Sequence, residues 1–226
     1  MVGHELTHGF DATGRMYDEF GSLMGQTQTA PAQMGDTTTI TPEAAGADAR
    51  QGGHIARGWS NATTRAFAQR QACFIRQYSR FEVGGQHVSG SLTVNENMAD
   101  NGGLDLAYRA YQRFERERER MHMHERRSDT GSASDGLHGG SDGVRPNVES
   151  SVVPGLTRDQ LFFVAFAQNW CSKQTLQAAE VQLKVDVHSP AQWRVKGAAM
   201  NSRGFAAAFH CRPGSAMNPV DKCLLW

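Results

Sequence analysis

Residues 4–8 of the chain read His4-Glu5-Leu6-Thr7-His8, which is an HExxH motif. On an α-helix the first and last residues of this motif lie on one face, so both imidazoles can bind the same Zn²⁺ ion. Glu5 follows along the same turn, where its carboxylate can take a proton from a metal-bound water molecule. Because only three of the five positions are specified, the motif also arises by chance and needs support from the rest of the sequence.

The third ligand decides which type of zinc site the motif belongs to. The pattern HExxHxxGxxH requires glycine at position 11 and histidine at position 14, whereas this chain has Asp11 and Gly14. A glutamate on a second helix is the remaining common solution, and residues 96–100 (ENMAD) supply it. Glu96 and Asp100 are four residues apart and so share one helical face. We expect Glu96 to bind the metal and Asp100 to accept a hydrogen bond from a ligand histidine.

The hydrophobic pattern around these motifs is mainly helical. Apolar residues at helical spacing predict helices near residues 1–10, 67–78, 96–114, 157–171 and 202–209. Thr157 and Gln160 form a capping box before the apolar run 161–166, which predicts a helix buried on most sides. Ser189 followed by Pro190 predicts the N-cap and first turn of another helix. Paired glycines and a Ser-Gly dipeptide within residues 81–94 predict a short β-hairpin.

Two polar stretches, residues 25–58 and 115–153, are predicted to be disordered insertions. The first is rich in Thr, Ala, Gly, Gln and Asp, and the second ends in Ser, Gly and Asp. Neither contains enough large apolar residues to bury a core of its own. The second begins with an alternating Glu and Arg run at 115–120, which is expected to extend the preceding helix into solvent.

Composition excludes some classes of protein. The chain has 23 basic and 23 acidic residues and therefore no formal net charge, so no nucleic-acid partner is expected. The Glu and Arg residues of 115–120 cancel in the same way. The longest strongly apolar run, residues 161–167, is far shorter than the roughly 20 residues that span a bilayer, so we expect no membrane segment in this chain. Four cysteines allow three complete pairings, among which spacing does not decide.

Several blocks of the sequence resemble the neprilysin and endothelin-converting-enzyme family of zinc metallopeptidases. Residues 2–11 (VGHELTHGFD) and 96–104 (ENMADNGGL) are similar to its two zinc motifs. Further blocks follow in the family's order at residues 161–171, 186–194, 201–211 and 217–226. The resemblance implies that residues 1–226 form the C-terminal part of a peptidase catalytic domain. Its expected fold is a mainly α, thermolysin-like (gluzincin) lobe with a small β-hairpin and the two long polar insertions.

The resemblance also implies the metal centre. His4, His8 and Glu96 match the ligands of one Zn²⁺ per chain. Glu5 matches the general base that activates water. Asp100 matches the catalytic-site carboxylate that holds a ligand histidine in place.

Three more residues match the family's substrate-handling groups. His188 matches the histidine that stabilises the oxyanion, and Asp186 the carboxylate that orients it. Arg194 matches the arginine that binds a substrate carbonyl. These roles imply peptide substrates as partners.

The cysteines match half-cystines of the family. The resemblance implies a disulfide between Cys73 and Cys223. Cys171 and Cys211 match residues whose partners lie in the N-terminal half of family members, so we expect both to be unpaired.

Members of the family are much longer, so we expect this chain to be a fragment whose partners include the missing N-terminal half of the same polypeptide. For the full-length protein the resemblance implies the extracellular face of the plasma membrane or secretion, and Asn61-Ala62-Thr63 is an N-glycosylation sequon. Two functions remain open. One is a zinc-dependent metalloendopeptidase that hydrolyses small peptides with a metal-activated water. The other is a truncated, catalytically incompetent zinc-binding remnant that lacks the N-terminal lobe.

Overall fold

Helices dominate the computed structural model, which describes residues 1–24, 59–129 and 153–226 and, within 125–129, the backbone alone. A 3₁₀ turn at Gly14–Met16 follows the first helix. In chain order the elements are α1 (Val2–His8), α2 (Asn61–Tyr78), β1 (Glu82–Val83), β2 (Gln86–His87), α3 (Val94–Asp129), α4 (Arg158–Gln168), α5 (Leu176–Val185), α6 (Ala191–Asn201) and α7 (Arg203–Ala208). The prediction of a mainly helical fold with one small hairpin is confirmed.

The hairpin closes through two glycines. Strands β1 and β2 are antiparallel, with Glu82 opposite His87. Gly84 and Gly85 have φ angles of 60° and 80°, which a tight two-residue hairpin turn requires at both central positions. The indole of Trp193 donates a hydrogen bond to the carbonyl of Glu82 at 3.0 Å, so the hairpin is fastened to α6.

Helix α3 is the centre of the fold, and α1 packs along it. One core cluster lies between α2, the hairpin and the first turns of α3, and it includes the fully buried Phe74, Tyr78 and Met98. A second cluster, around Leu104 and Phe163, joins the middle of α3 to α4, α6 and α7. The two clusters hold α3 and α6, which carry Glu96, Asp100 and Arg194, in place.

The C-terminal segment is fixed to α2. Cys73 on α2 and Cys223 form a disulfide with Cα atoms 5.6 Å apart, which is the pair that the resemblance implies. Arg70 donates a hydrogen bond to the carbonyl of Leu225 at 2.8 Å from the same helix. Cys171 and Cys211 are unpaired, as expected.

The predicted disordered insertion at 115–153 is wrong for its first part, because α3 continues to Asp129. Glu115 is only 7% exposed. The expected extension of the helix through 115–120 is confirmed. Glu115 does not face solvent, however, because its carboxylate binds Arg118 at 2.6 Å and Arg158 of α4 at 3.1 Å. Residues 130–152 of that prediction, and all of 25–58, lie outside the described residues.

Two helices differ from the sequence prediction. In α4 the capping box of Thr157 and Gln160 is present, but of its side chains only Phe163 is buried, so the prediction of a helix buried on most sides is wrong. Helix α5 was not predicted. Its buried residues are Ala179 and Leu183. Because the alanine side chain is small, the apolar pattern of this helix is too weak to predict it from the sequence.

None of the helices in the described part of the chain combines the length and the apolar character needed to cross a lipid bilayer.

Candidate active site

Helix α1 brings the two histidines of the HExxH motif together. His4 and His8 are one turn apart, and their Nε2 atoms face each other at 3.1 Å. The His4 side chain is buried, while that of His8 is partly open to solvent. Glu5, the residue after His4, lies in the first turn of α1 and is exposed.

Helix α3 supplies the third member of the cluster. Glu96 Oε2 lies 3.2 Å from His4 Nε2, and Glu96 Oε1 lies 3.6 Å from His8 Nε2. One ligand atom from each of the three residues can be chosen so that all lie within 4.8 Å of one another. The three side chains that the sequence indicated as ligands therefore converge on one point, although residues 4–8 and Glu96 lie far apart in the chain.

A carboxylate contacts the Nδ1 atom of each of these two histidines. Asp100 Oδ1 lies 2.9 Å from Nδ1 of His4, a close contact that is poorly aligned as a hydrogen bond, so it is chiefly ionic. Asp11 Oδ2 lies 2.7 Å from Nδ1 of His8. Both carboxylates are nearly fully buried. With a carboxylate at each Nδ1, the proton of a neutral ring is held there and Nε2 is left with a free lone pair.

Asp11 is a site residue that the sequence reasoning missed. It entered that reasoning only as the residue that excludes one ligand pattern. Its Oδ1 also accepts hydrogen bonds from the backbone of Thr13 at 2.8 Å and of Gly14 at 2.7 Å. The chain therefore turns sharply after α1, and that turn aims the carboxylate back at His8. The available signal was its position three residues after His8, which is one helical turn.

The charges of the cluster shift its pKa values in opposite directions. Contacts with Asp100 and Glu96 raise the pKa of His4 to about 9, against the opposing effect of burial. Burial raises the pKa of Glu96, but its close contact with His4 and electrostatic attraction to His188, His8 and His4 hold that pKa below its usual value overall. These shifts stabilise the ionised form of the Glu96 carboxylate and positive charge next to it.

The three side chains fit a zinc ion on geometry as well as on residue type. Two nitrogens bound to one tetrahedral zinc at about 2.0–2.1 Å would be roughly 3.3 Å apart, close to the 3.1 Å between the two Nε2 atoms. Glu96 Oε2 is buried without a well-aligned hydrogen-bond donor, so it is available to a cation. When both rings are neutral, as metal binding requires, two facing lone pairs and a buried carboxylate oxygen would repel one another unless positive charge lay between them.

His188 reaches the cluster from the connection between α5 and α6. Its Nε2 lies 3.1 Å from Glu96 Oε2. Its Nδ1 and its backbone nitrogen each lie 2.8 Å from Asp186 Oδ1. Burial raises the pKa of Asp186, but these hydrogen bonds from His188 keep it below its usual value overall. Asp186 therefore stays ionised and directs Nε2 of His188 toward Glu96.

Arg194, on α6, joins the same group through Asp100. Its Nε and Nη2 bind the two oxygens of Asp100 at 2.7 and 2.8 Å, and Nη2 lies 3.7 Å from Glu96 Oε2. The guanidinium lies 5.3 Å from the centre of the Trp170 ring. Asp100 and Glu96 raise the pKa of Arg194 despite its burial. Asp100 is thus shared between His4 and Arg194, so it fixes two of the predicted site residues at once.

Together these contacts define a class of helical protein. The two histidines of an HExxH helix meet a glutamate from a second helix, and each histidine contacts a carboxylate through Nδ1. The chain matches the family model for peptidase family M13 over residues 1–133 and 141–225. The chain belongs to peptidase family M13.

Similar proteins agree over the whole chain. Endothelin-converting enzyme 1 of Bos taurus is 36% identical over 228 residues, which cover 100% of this chain and 22% of that protein. Neprilysin-3 of Drosophila melanogaster is 35% identical over 228 residues, which cover 100% of this chain and 21% of that protein. Neprilysin of Homo sapiens is 33% identical over 231 residues, 100% of this chain and 23% of that protein. The chain therefore spans about a fifth of the length of the curated relatives it matches.

Solved structures show the same fold. The Mycobacterium tuberculosis zinc metalloprotease Zmp1, in complex with an inhibitor, has a TM-score of 0.64 and 26% identity, covering 100% of this chain and 26% of Zmp1. PepO from Lactobacillus rhamnosis has a TM-score of 0.61 and 26% identity, covering 96% of this chain and 23% of PepO.

Proposed function

We propose that this chain carries the catalytic centre of a zinc-dependent metalloendopeptidase that hydrolyses peptide bonds of small peptides. The observation that carries the proposal is the convergence of His4, His8 and Glu96, with a buried carboxylate behind each histidine. Membership of peptidase family M13 and the likeness to the zinc metalloprotease Zmp1 support the same class of reaction.

His4, His8 and Glu96 would hold the metal, since both imidazoles present Nε2 toward Glu96. When bound, Zn²⁺ lowers the pKa of a coordinated water to about 7 and polarises a carbonyl group. Asp100 and Asp11 keep each Nδ1 protonated, so that both rings stay in the tautomer that binds a metal through Nε2.

The proton transfers are assigned to Glu5. Its carboxylate is the base that takes the proton of the attacking water and then passes it to the leaving amine. Glu5 suits this role because it adjoins His4 and is exposed on α1, whereas Glu96 and Asp100 are already engaged with histidines and Arg194.

His188 and Arg194 are assigned to the substrate. His188 donates from Nε2 to the carbonyl oxygen as that oxygen gains negative charge, and such a donor contributes roughly 3 kcal/mol to transition-state stabilisation. Asp186 holds the ring in place through Nδ1. Arg194, aligned by Asp100, donates to a backbone carbonyl of the bound peptide.

A second candidate is the zinc-binding remnant that lacks hydrolysis. One observation favours it: in the described part of the chain, α1 exposes 75% of Val2 and 62% of Leu6, and the turn after it exposes 50% of Phe10. In a peptide-binding cleft, another part of the protein would cover these exposed apolar side chains. On this reading full activity requires the N-terminal half of a longer polypeptide.

Zinc analysis and peptide hydrolysis of the purified chain separate the two candidates. The peptidase should bind one zinc, and Glu5→Gln should retain it while losing at least 10²-fold in kcat, because a general base contributes about 10²–10⁴-fold. Glu180→Gln, an exposed carboxylate on α5, is the matched control and should change neither. Bound zinc with no hydrolysis in the unmodified chain would support the remnant, and absence of bound zinc would contradict both.

For the full-length protein we propose an extracellular location, at the plasma membrane or secreted. The Cys73–Cys223 disulfide supports it, because such bonds persist in oxidising compartments. Asn61 of the sequon is exposed at the start of α2 and accessible to glycosylation. Glycosidase treatment of protein secreted from eukaryotic cells should increase its gel mobility, and Asn61→Gln should abolish that change. An unaltered band for the unmodified sequon would count against its use.

A further inference from the structure

His188 is held beside Glu96 by a segment that is neither helix nor strand. Residues 186–190 connect α5 to α6. The bonds between His188 and Asp186 lie within this segment, so they orient the ring without attaching the segment to α3. The 3.1 Å separation between His188 Nε2 and Glu96 Oε2 needs another anchor.

Ser189 provides that anchor. Its side chain is 1% exposed, and its Oγ donates a hydrogen bond to Oδ1 of Asn97 at 2.7 Å. Asn97 is fully buried on α3. Ser189 is the chain neighbour of His188, and Asn97 is the chain neighbour of Glu96. One buried bond therefore joins the two backbones immediately beside the two side chains that meet in the site.

The hydrogen bonding does not end at Asn97 but continues into the segment that precedes α3. Nδ2 of Asn97 donates to Oγ1 of Thr93 at 2.9 Å, and Thr93 Oγ1 donates to the carbonyl of Ser89 at 3.0 Å. Thr93 is 3% exposed. Because these groups are closed off from water, removing one partner leaves the other unsatisfied, so the series holds its geometry.

We propose that Ser189 and Asn97 are positioning residues whose hydrogen bond holds His188 at its place beside Glu96. The inference rests on the proposed function, in which His188 donates to the carbonyl oxygen of the substrate. Neither residue touches the reacting atoms. They act through their chain neighbours, because the hydrogen bond between Ser189 and Asn97 limits the movement of His188 relative to Glu96.

The first test measures the position of His188 without any substrate. Ser189→Ala should increase hydrogen exchange in residues 186–190 by about tenfold, since one buried hydrogen bond is lost. The ¹³C-labelled imidazole signal of His188, assigned by its disappearance in His188→Gln, should move toward that of free histidine. Ser202→Ala is the matched control. Ser202 caps α7 through the backbone of Phe205, so the change also removes one hydrogen bond, but far from His188 along the chain.

The second test asks whether the effect on catalysis passes through His188. Ser189→Ala should lower kcat by roughly 10- to 100-fold, with KM and bound zinc altered by less than about twofold. In a His188→Ala background the same substitution should have no further effect, because the group being positioned is gone. A general loss of stability would instead reduce activity equally in both backgrounds.

Asn97→Ala serves as a second variant if Ser189→Ala does not fold. It should reproduce the exchange and imidazole changes, and the double variant should equal either single one. The proposal is overturned if exchange and the imidazole signal in these variants match Ser202→Ala, or if the loss in kcat is fully additive with His188→Ala. A chain that hydrolyses nothing would contradict the proposed function, and the exchange and imidazole measurements would still decide the role of Ser189 and Asn97.

Discussion

A Cβ atom added to Gly103 would lie 2.5 Å from the backbone nitrogen of His4. The reciprocal contact is equally close, since a Cβ on Gly3 would lie 2.7 Å from the carbonyl oxygen of Gly103. Side chains at these positions would push α1 away from α3. The absence of two side chains thus sets the distance between the histidines on one helix and Glu96 on the other.

Gly103→Ala should separate these helices. The obstructing atoms are backbone and cannot rotate away, so we expect a loss of about 1–3 kcal/mol in the free energy of unfolding and weaker zinc binding. Chemical denaturation and zinc titration measure the two effects. Gly9→Ala is the control, because Gly9 has φ −60° and its nearest such contact is at 3.4 Å. Equal stability and zinc affinity in both variants would show that the close approach is unimportant.

Asp11→Asn should weaken zinc binding by about 10–100-fold, because the amide no longer provides a charged acceptor for Nδ1 of His8. Competition with a chelator of known affinity measures the change. Asp18→Asn is closely matched, since Asp18 Oδ1 likewise accepts from two backbone nitrogens, those of Phe20 and Ser22 at 2.9 Å. An equal loss of zinc affinity in both variants would assign the effect to the local turn instead of to His8.

Reduction of the Cys73–Cys223 disulfide should lower the free energy of unfolding. The bond closes a loop with a sequence separation of 150, which corresponds to about 5 kcal/mol in the chain-entropy model. Denaturation with and without reductant, in a Cys171→Ser/Cys211→Ser background, isolates this bond from the two free thiols. The further double variant Cys73→Ser/Cys223→Ser should be insensitive to reductant. Identical midpoints before and after reduction would contradict the expected contribution.

Glu115→Ala should destabilise the junction between α3 and α4. The substitution leaves Arg118 and Arg158 without the carboxylate they share, and we expect a loss of about 1–3 kcal/mol. Glu117→Ala removes an exposed pair with Arg113 on the same helix and should cost less than about 1 kcal/mol. Thermal and chemical unfolding compare the two variants. If both cost the same, Glu115 is not the fastening point between the helices.

The sequence predicted which site residues share a helical face because the helical repeat is local. His4 with His8, and Glu96 with Asp100, are pairs four residues apart, and that spacing alone places each pair on one face. The hairpin glycines and the capping box of Thr157 and Gln160 were predictable for the same reason, since their signals lie within a few residues.

Features that depend on distant contacts were missed. The burial of Glu115 depends on Arg158, 43 residues away, so the alternating charges around it resembled a solvated helix. Ser189 was expected to cap a helix, but α6 begins after Pro190 and the hydroxyl binds Asn97, 92 residues away. Asp11 reaches His8 only because the chain turns back after α1.

By itself, then, the sequence determined which side chains are presented on each helix, the residue types that suit a zinc ion, and the family to which the chain is similar. The tertiary structure decided that two helices far apart in the chain meet at the distance a shared ion needs, and that Asp100 serves His4 and Arg194 together. The physical reason is that helical phase follows from backbone geometry within a few residues. The meeting of α1, α3 and α6 depends instead on close packing at glycines and on buried polar contacts between segments that local patterns do not connect.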